Sequence, residues 1–113
     1  MNIKKDTYSK STVEIASFAN AISHPARILI LNTLAKKGSC ICGEIVEVLP
    51  LSQSTVSQHL IELKKVGLVK GTIDGQKSCY CIDWVKLRKK LEILNDFSQS
   101  LEALNIKSKQ NCC

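Results

Sequence analysis

The chain lacks the apolar segments that mark membrane and secreted proteins. No apolar run approaches the about 18 residues that a membrane-spanning helix needs. The opening MNIKKDTYSKS is polar and has no apolar core like that of a signal peptide. These absences predict a cytoplasmic protein with no membrane partner. Thiols stay reduced in that compartment, where clustered cysteines more often bind metals or sense oxidants than form structural disulfides.

The chain also lacks the motifs of enzymes that would use its cysteines. There is no Cys-x-x-Cys pair and no glycine-rich phosphate loop, and the isolated His24 and His59 are the only histidines. A dithiol oxidoreductase or an arsenate reductase is therefore not expected, and neither is an obligatory cofactor. The sequence predicts a protein that is not an enzyme.

What the chain does have is positive charge, concentrated in its middle. At 113 residues it is one domain, and a chain this short would gain stability from a dimer interface. The formal net charge is +6 and the pI about 9.1, and residues 52–90 account for five of those six charges. A basic middle indicates a polyanion partner such as nucleic acid, although an ordinary solvated surface can have the same composition.

Helical periodicity divides the chain into an arm, a domain and a tail. Residues 1–9 are predicted to be a flexible N-terminal arm, residues 10–105 the folded domain, and residues 106–113 a tail that ends in two cysteines. Apolar spacing, caps and breakers predict five helices. These run from about Lys10 to Ile22, from a Ser23 cap to Gly38, from Cys42 to Leu49, from a Ser52 cap to Gly67, and from Trp84 to Leu104.

A β-hairpin is predicted between the last two helices. The β-prone runs LVKGTI and KSCYCI flank Asp74-Gly75-Gln76, and Asp-Gly between such runs is a strong hairpin signal. A hairpin directly after two closely spaced helices is typical of the wing in a winged helix-turn-helix. The predicted fold class is therefore mainly α with a small β-hairpin wing, in the element order α-α-α-α-β-β-α.

The helix that begins after Ser52 has a polar face suited to DNA. Ser54, Ser57, Gln58 and Ile61 follow i, i+3, i+4, i+7 spacing and share one side of the helix. Amides and hydroxyls can read base edges in the major groove, and an apolar side chain can meet a thymine methyl group. The lysines expected to contact phosphates are Lys64, Lys65, Lys70 and Lys77. The alternatives are an ordinary polar helix face and a protein-interaction module without DNA binding.

Six cysteines form the pairs Cys40/Cys42, Cys79/Cys81 and Cys112/Cys113. In an extended segment residues i and i+2 point the same way, and in a helix they do not. We expect Cys40 in an extended lead-in and Cys42 in a first helical turn, where a helix N-terminus favours thiolate over thiol. Thiolates select soft ions, so this pair is predicted to be the core of a sensor site.

Four short motifs in the middle of the chain match one known family. They are His24-Pro25-Ala26-Arg27, Cys40-Ile41-Cys42, the run LSQSTVSQHL from Leu51 to Leu60, and Gly67-Leu68-Val69. Over about residues 15–85 the chain resembles the ArsR/SmtB family of bacterial winged-helix repressors. The resemblance implies a homodimer that binds double-stranded operator DNA, represses a metal- or metalloid-resistance operon, and releases DNA when its inducer binds.

The resemblance also implies which residues read DNA and what the inducer is. The DNA-reading helix would carry Gln53, Ser54, Ser57, Gln58 and His59, although His59 is equally suited to a structural role. The family's Cys-x-Cys type senses trivalent arsenic or antimony through three sulfurs, so As(III) or Sb(III) is the expected inducer. Four sulfurs would suit Cd(II), Pb(II) or Zn(II).

The chain departs from the family's known ligand patterns. Residues 43–46 contain no further cysteine, residues 1–39 contain none, and the last predicted helix has no histidine for a zinc site. Cys112 and Cys113 could fold over the first pair from the same subunit or the other one. Cys79 and Cys81 could complete the site instead, if the segment at Cys40 runs beside the second wing strand. We prefer the tail, since flexible terminal thiols have little other structural use, whereas half-buried strand cysteines are often small hydrophobes. A thiol-redox or persulfide sensor is the alternative function.

Overall fold

Four helices and a three-stranded sheet make up the described part of the chain. The computed structural model describes residues 7–43, 49, 51–74 and 77–108. The elements are α1 (Lys10–Ala21), α2 (Pro25–Lys37), β1 (Ile41–Cys42), α3 (Gln53–Lys65), β2 (Val69–Thr72), β3 (Cys79–Ile82) and α4 (Trp84–Lys107). The predicted fold class, mainly α with a small β-hairpin wing, is confirmed.

Capping residues set the limits of the first two helices. Ser9 Oγ accepts a hydrogen bond from the Thr12 backbone N–H (3.2 Å) at the start of α1. The prediction that Ser23 caps α2 is wrong, because His24 takes that position and its Nδ1 accepts from the Ala26 N–H at 3.0 Å. Gly38 ends α2 as predicted, with a φ of 72° that favours glycine.

The wing is a hairpin of β2 and β3, and β1 adds a third strand beside β3. The strand order is β1-β3-β2, with both pairings antiparallel. The prediction that Cys42 opens a helix is wrong, because Cys42 lies in β1 opposite Cys79. Residues 44–48 and 50, on which most of that predicted helix falls, lie outside the described residues.

The core lies where α2, α3 and the sheet meet. Tyr80 in β3 is 1% exposed, and its neighbours Val69 and Ile82 are also buried. These three side chains occupy the sheet face that packs on the helices. The other buried members of the core are Phe18, Ala21, Ile30, Leu34, Leu49, Val56, Leu60, Leu63, Leu68 and Leu87.

The last helix is long and leaves most of its apolar residues exposed. It begins after the cap Asp83, whose Oδ1 accepts from the Lys86 N–H at 3.2 Å, and it extends to Lys107. Leu87 is buried, whereas Phe97 is 45% and Leu104 61% exposed. Residues 1–6 of the predicted arm and 109–113 of the predicted tail lie outside the described residues. Among the described helices, none is long and apolar enough to cross a membrane.

Candidate functional site

The helix α3 presents a polar face to solvent while its other side packs on the core. Ser52 caps it by accepting from the Thr55 N–H at 3.3 Å. Val56, Leu60 and Leu63 are buried at i, i+4, i+7 spacing, which fixes the rotation of the helix about its axis. The residues left on the outer side are Gln53, Ser54, Ser57, Gln58 and Ile61, of which Ser54, Gln58 and Ile61 are exposed and the other two half-buried. This is the face that the sequence predicts to read DNA.

His59 is the exception among the predicted DNA-reading residues. Its Nδ1 accepts a hydrogen bond from Arg27 Nε at 3.2 Å, and its ring lies 4.5 Å from the ring of His24. Burial, and then the charges of His24 and Arg27, lower the pKa of His59 from its usual 6.5. A neutral imidazole is the form that can accept at Nδ1. These contacts favour the structural alternative for His59, as a link between α2 and α3.

Three of the predicted phosphate-contacting lysines surround the wing. Lys64 Nζ donates to the Gly71 carbonyl at 2.6 Å and so connects the end of α3 to β2. Lys70 in β2 and Lys77 just before β3 are exposed. Lys65 lies elsewhere on α3 and pairs with Glu62 at 3.2 Å. Lys64 therefore lies between α3 and β2, and the exposed Lys70 and Lys77 add positive charge to the wing, as phosphate contacts need.

The structure brings both Cys-x-Cys motifs together on the sheet. Disulfides join Cys40 to Cys81 and Cys42 to Cys79, with Cα–Cα distances of 4.3 and 4.0 Å. The Gly43 N–H donates to the Ser78 carbonyl at 2.8 Å, which makes Cys42–Cys79 a non-hydrogen-bonded pair, the kind that brings side chains closest. Cys40 and Cys81 stand two residues further along the same strand pair, so they form a second close pair of the same kind.

Both cysteine pairs lie on the sheet face that points away from the core. Ile41 and Tyr80, which stand opposite each other between the two pairs, turn inwards to the core. Cys40, Cys42 and Cys79 are exposed and Cys81 is half-buried. Solvent therefore reaches the sulfurs, as a sensor of small ions or oxidants needs.

Cys79 and Cys81 could complete the site if the segment at Cys40 ran beside the second wing strand. The structure has this arrangement, since β1 pairs with β3. Cys112 and Cys113, the preferred alternative, lie outside the described residues, so their part in the site stays a prediction. Because Cys42 lies in a strand, the prediction that a first helical turn favours its thiolate is wrong. The repeated Cys-x-Cys spacing was the signal that could have identified β1, since alternate residues share a face only in extended chain.

Comparisons with known proteins identify the family of the chain. The model for the family described as "Bacterial regulatory protein, arsR family" matches residues 24–70. The HTH-type transcriptional regulator YgaV of Escherichia coli K12 is 36% identical over 72 residues, which are 64% of this chain and 73% of the relative. The chain belongs to the arsR family. Like its relatives, this arsR-family protein is a DNA-binding transcriptional regulator and not an enzyme.

The arsR-family chain is also similar to a cadmium resistance regulator and to a solved structure of an ArsR-like regulator. The cadmium resistance transcriptional regulatory protein CadC of Listeria innocua serovar 6a is 29% identical over 93 residues, 81% of this chain and 77% of that protein. An ArsR-like transcriptional regulator from Rhodococcus sp. RHA1 has a similar fold, with a TM-score of 0.63 and 24% identity over 90% of this chain and all of that one. At that identity the structural likeness supports the winged fold alone.

Proposed function

We propose that this regulator is a homodimeric repressor that releases its operator when a thiophilic inducer binds its cysteines. The observation that carries the proposal is the convergence of Cys40 and Cys42 with Cys79 and Cys81 on the outer face of the wing sheet. The wing and α3 are the two elements expected to touch DNA, so a ligand at the sulfurs acts on the DNA-binding surface itself.

The proposed inducer is trivalent arsenic or antimony, bound by Cys40, Cys42 and a third sulfur. Soft sulfur ligands favour such ions over those that carboxylates bind. Cd(II), Pb(II) and Zn(II) are the alternatives when a fourth sulfur takes part, and the name of the cadmium resistance relative supports cadmium among them. The third sulfur comes from Cys79 or Cys81 on the described sheet, or from Cys112 or Cys113.

The homodimer is supported by the apolar stripe of α4. Phe97, Leu101 and Leu104 are large, exposed and spaced three or four residues apart, so they share one side of the helix. In the described structure these side chains are 45 to 61% exposed, and a second copy would bury them. Two copies would then present two α3 helices to successive turns of DNA, about 34 Å apart.

Induction requires that the inducer bind the DNA-free form more tightly than the bound form. A coupling free energy of about 3 kcal/mol would weaken operator binding by more than about 100-fold. The sheet offers a direct route for this coupling. A ligand that joins β1 to β3 fixes the wing strand β3 against β1, and so changes how the wing meets DNA.

A mobility-shift titration tests the proposal. The reduced protein is mixed with the DNA upstream of its own gene, and arsenite is added in the absence of other metals. We expect the wild type to bind and then release, and Cys40→Ser to bind and not release. Ser39→Ala, a neighbouring change without a sulfur, is the control and should release normally. A Cys40→Ser protein that releases at the wild-type arsenite concentration would contradict the proposed site.

A thiol-redox repressor is the second candidate, and the pairing of the four sulfurs favours it. In that case hydrogen peroxide oxidises two thiols to one disulfide and is reduced to two waters, so two equivalents would form both disulfides. Operator release by peroxide in a metal-free, chelator-treated sample, reversed by a dithiol reductant, would support this candidate. Release by arsenite under strictly reducing conditions, with no response to peroxide, would exclude it.

A further inference from the structure

Cys40, Cys42, Cys79 and Cys81 lie on one face of the sheet, and Lys70 lies on that same face. Lys70 stands opposite Cys81 in the β2–β3 pairing, as Thr72 stands opposite Cys79, and directly opposed residues of an antiparallel pair point to the same side. We propose that the four cysteines, once reduced, bind one thiophilic divalent cation, and that the negative charge of the loaded site offsets Lys70. This inference takes the alternative of the proposed function in which a fourth sulfur takes part and the inducer is a divalent ion, and it rests on that function for the effect on DNA.

The spacing of the cysteines on the sheet suits a site with four sulfur ligands rather than three. Across the strands, the sulfurs belong to close pairs with Cα–Cα distances of 4.3 and 4.0 Å. Along each strand, Cβ atoms two residues apart are separated by roughly 6.7 Å, and a change of side-chain torsion brings the two sulfurs nearer. A tetrahedral ion with metal–sulfur bonds of about 2.3 Å needs its sulfurs roughly 3.8 Å apart. Once the disulfides are opened, the four cysteines therefore stand close enough on one sheet face for side-chain rotation to direct their sulfurs at one ion.

Charge balance distinguishes a divalent ion from a trivalent metalloid at this site. A divalent cation that binds four thiols as thiolates displaces four protons and leaves a complex of charge −2. Arsenous acid that condenses with three thiols releases three waters and leaves a neutral complex with the fourth thiol free. Only the divalent complex places net negative charge beside Lys70, the exposed wing lysine expected to contact a phosphate.

The loaded site would weaken DNA binding through charge as well as through shape. The complex attracts the Lys70 ammonium group and repels nearby DNA phosphates. Each phosphate contact contributes a slope of about −0.9 to the dependence of log affinity on log salt concentration. We expect metal loading to reduce the magnitude of that slope by about 1 or more, and Lys70→Gln to produce a similar reduction without metal.

The disulfides of the structure must be opened before a metal can bind. A phosphine cleaves each disulfide to two thiols, takes up the oxygen of one water and becomes the phosphine oxide. The experiment therefore starts from full-length protein reduced with a phosphine and kept free of oxygen. Such a sample has six thiols, counting the terminal pair.

Cadmium chloride titration tests the ligand set, with the ultraviolet thiolate-to-metal band and the number of thiols that react with Ellman's reagent as readouts. We expect one Cd(II) per chain and protection of Cys40, Cys42, Cys79 and Cys81, which leaves two reactive thiols. The Cys112→Ser/Cys113→Ser protein should keep the wild-type affinity and show no reactive thiol when loaded. The Cys79→Ser/Cys81→Ser protein should bind on the order of 100-fold more weakly or worse, because it loses half of its direct ligands.

Two results would overturn the inference. One is unchanged Cd(II) affinity in Cys79→Ser/Cys81→Ser, and the other is loss of binding in Cys112→Ser/Cys113→Ser. Circular dichroism of each reduced variant checks that it is folded before it is scored. Operator binding by the metal-free wild type is measured separately. Failure of that binding would refute the proposed function while the cadmium result still decides the four-sulfur site.

Discussion

Arg27 donates a hydrogen bond from Nε to Nδ1 of His59 at 3.2 Å and so joins α2 to the helix with the DNA-facing residues. The same guanidinium donates from Nη1 to the Ala21 carbonyl at the end of α1, at 3.1 Å. One side chain thus connects three helices. The contact to α3 requires a neutral His59, because a protonated ring has no lone pair at Nδ1 to accept with.

The free energy of unfolding should therefore decrease as the pH is lowered, and part of that decrease should depend on His59. Its folded-state pKa is lowered from 6.5, by burial first and then by His24 and Arg27. Between that lowered value and 6.5 the unfolded chain holds more protons than the folded one. The free energy of unfolding thus decreases as pH falls below about 6.5, and the loss is complete below the folded pKa.

His59→Gln, which cannot take up a proton in this range, should reduce that pH dependence. Urea unfolding of both proteins at several pH values between about 7.5 and 5 measures the effect. The difference in unfolding free energy between wild type and variant should shrink as the pH falls. A constant difference across the range would contradict the link between protonation and the Arg27 contact.

The sequence predicted the elements that depend on local signals. The apolar stripe of α3, its Ser52 cap and the Gly38 stop all follow from neighbouring residues, and the structure has them. β1 depends instead on pairing with a strand 37 residues away, Cys42 with Cys79, which no local propensity contains. The role of His59 was open for the same reason, since its partner Arg27 is 32 residues earlier.

Gly71→Ala is expected to disrupt the wing. Gly71 has a φ of 118°, and a Cβ there would meet the Cys79 carbonyl oxygen and the Tyr80 Cα. Both are backbone atoms of the paired strand, so they cannot turn aside as a flexible side chain would. We expect a loss of about 2–3 kcal/mol in unfolding free energy, measured by urea denaturation.

Gly38→Ala is the matched control for that substitution. Gly38 also has a positive φ, 72°, but a Cβ there would meet nothing within 4 Å. Only the backbone cost of about 1 kcal/mol for a left-handed residue should remain. Equal losses in the two variants would show that close approach to β3 does not constrain Gly71.

Gln58→Ala and Lys77→Ala should weaken DNA binding in different ways. Gln58 is exposed on the outer face of α3, and loss of a base contact costs about 1–3 kcal/mol and relaxes sequence preference at that base. Lys77 is exposed beside the wing, and its loss should weaken operator and scrambled DNA alike and reduce the salt slope by about 1. Affinities for both duplexes across a salt series test this. A Gln58→Ala protein that loses equal affinity for both duplexes would contradict base reading.

Leu101→Asp should separate the proposed dimer into monomers. Leu101 is 51% exposed on the apolar stripe of α4, and a carboxylate there would have to be buried without a partner if two stripes packed together. Gln99→Asp adds the same group at a position about 200° away around the helix, so it should leave assembly unchanged. Sedimentation velocity compares the two variants with the wild type over a range of concentrations. A Leu101→Asp protein that sediments like the wild type would place the dimer interface elsewhere, whereas a monomer that also loses operator affinity would connect assembly to DNA binding.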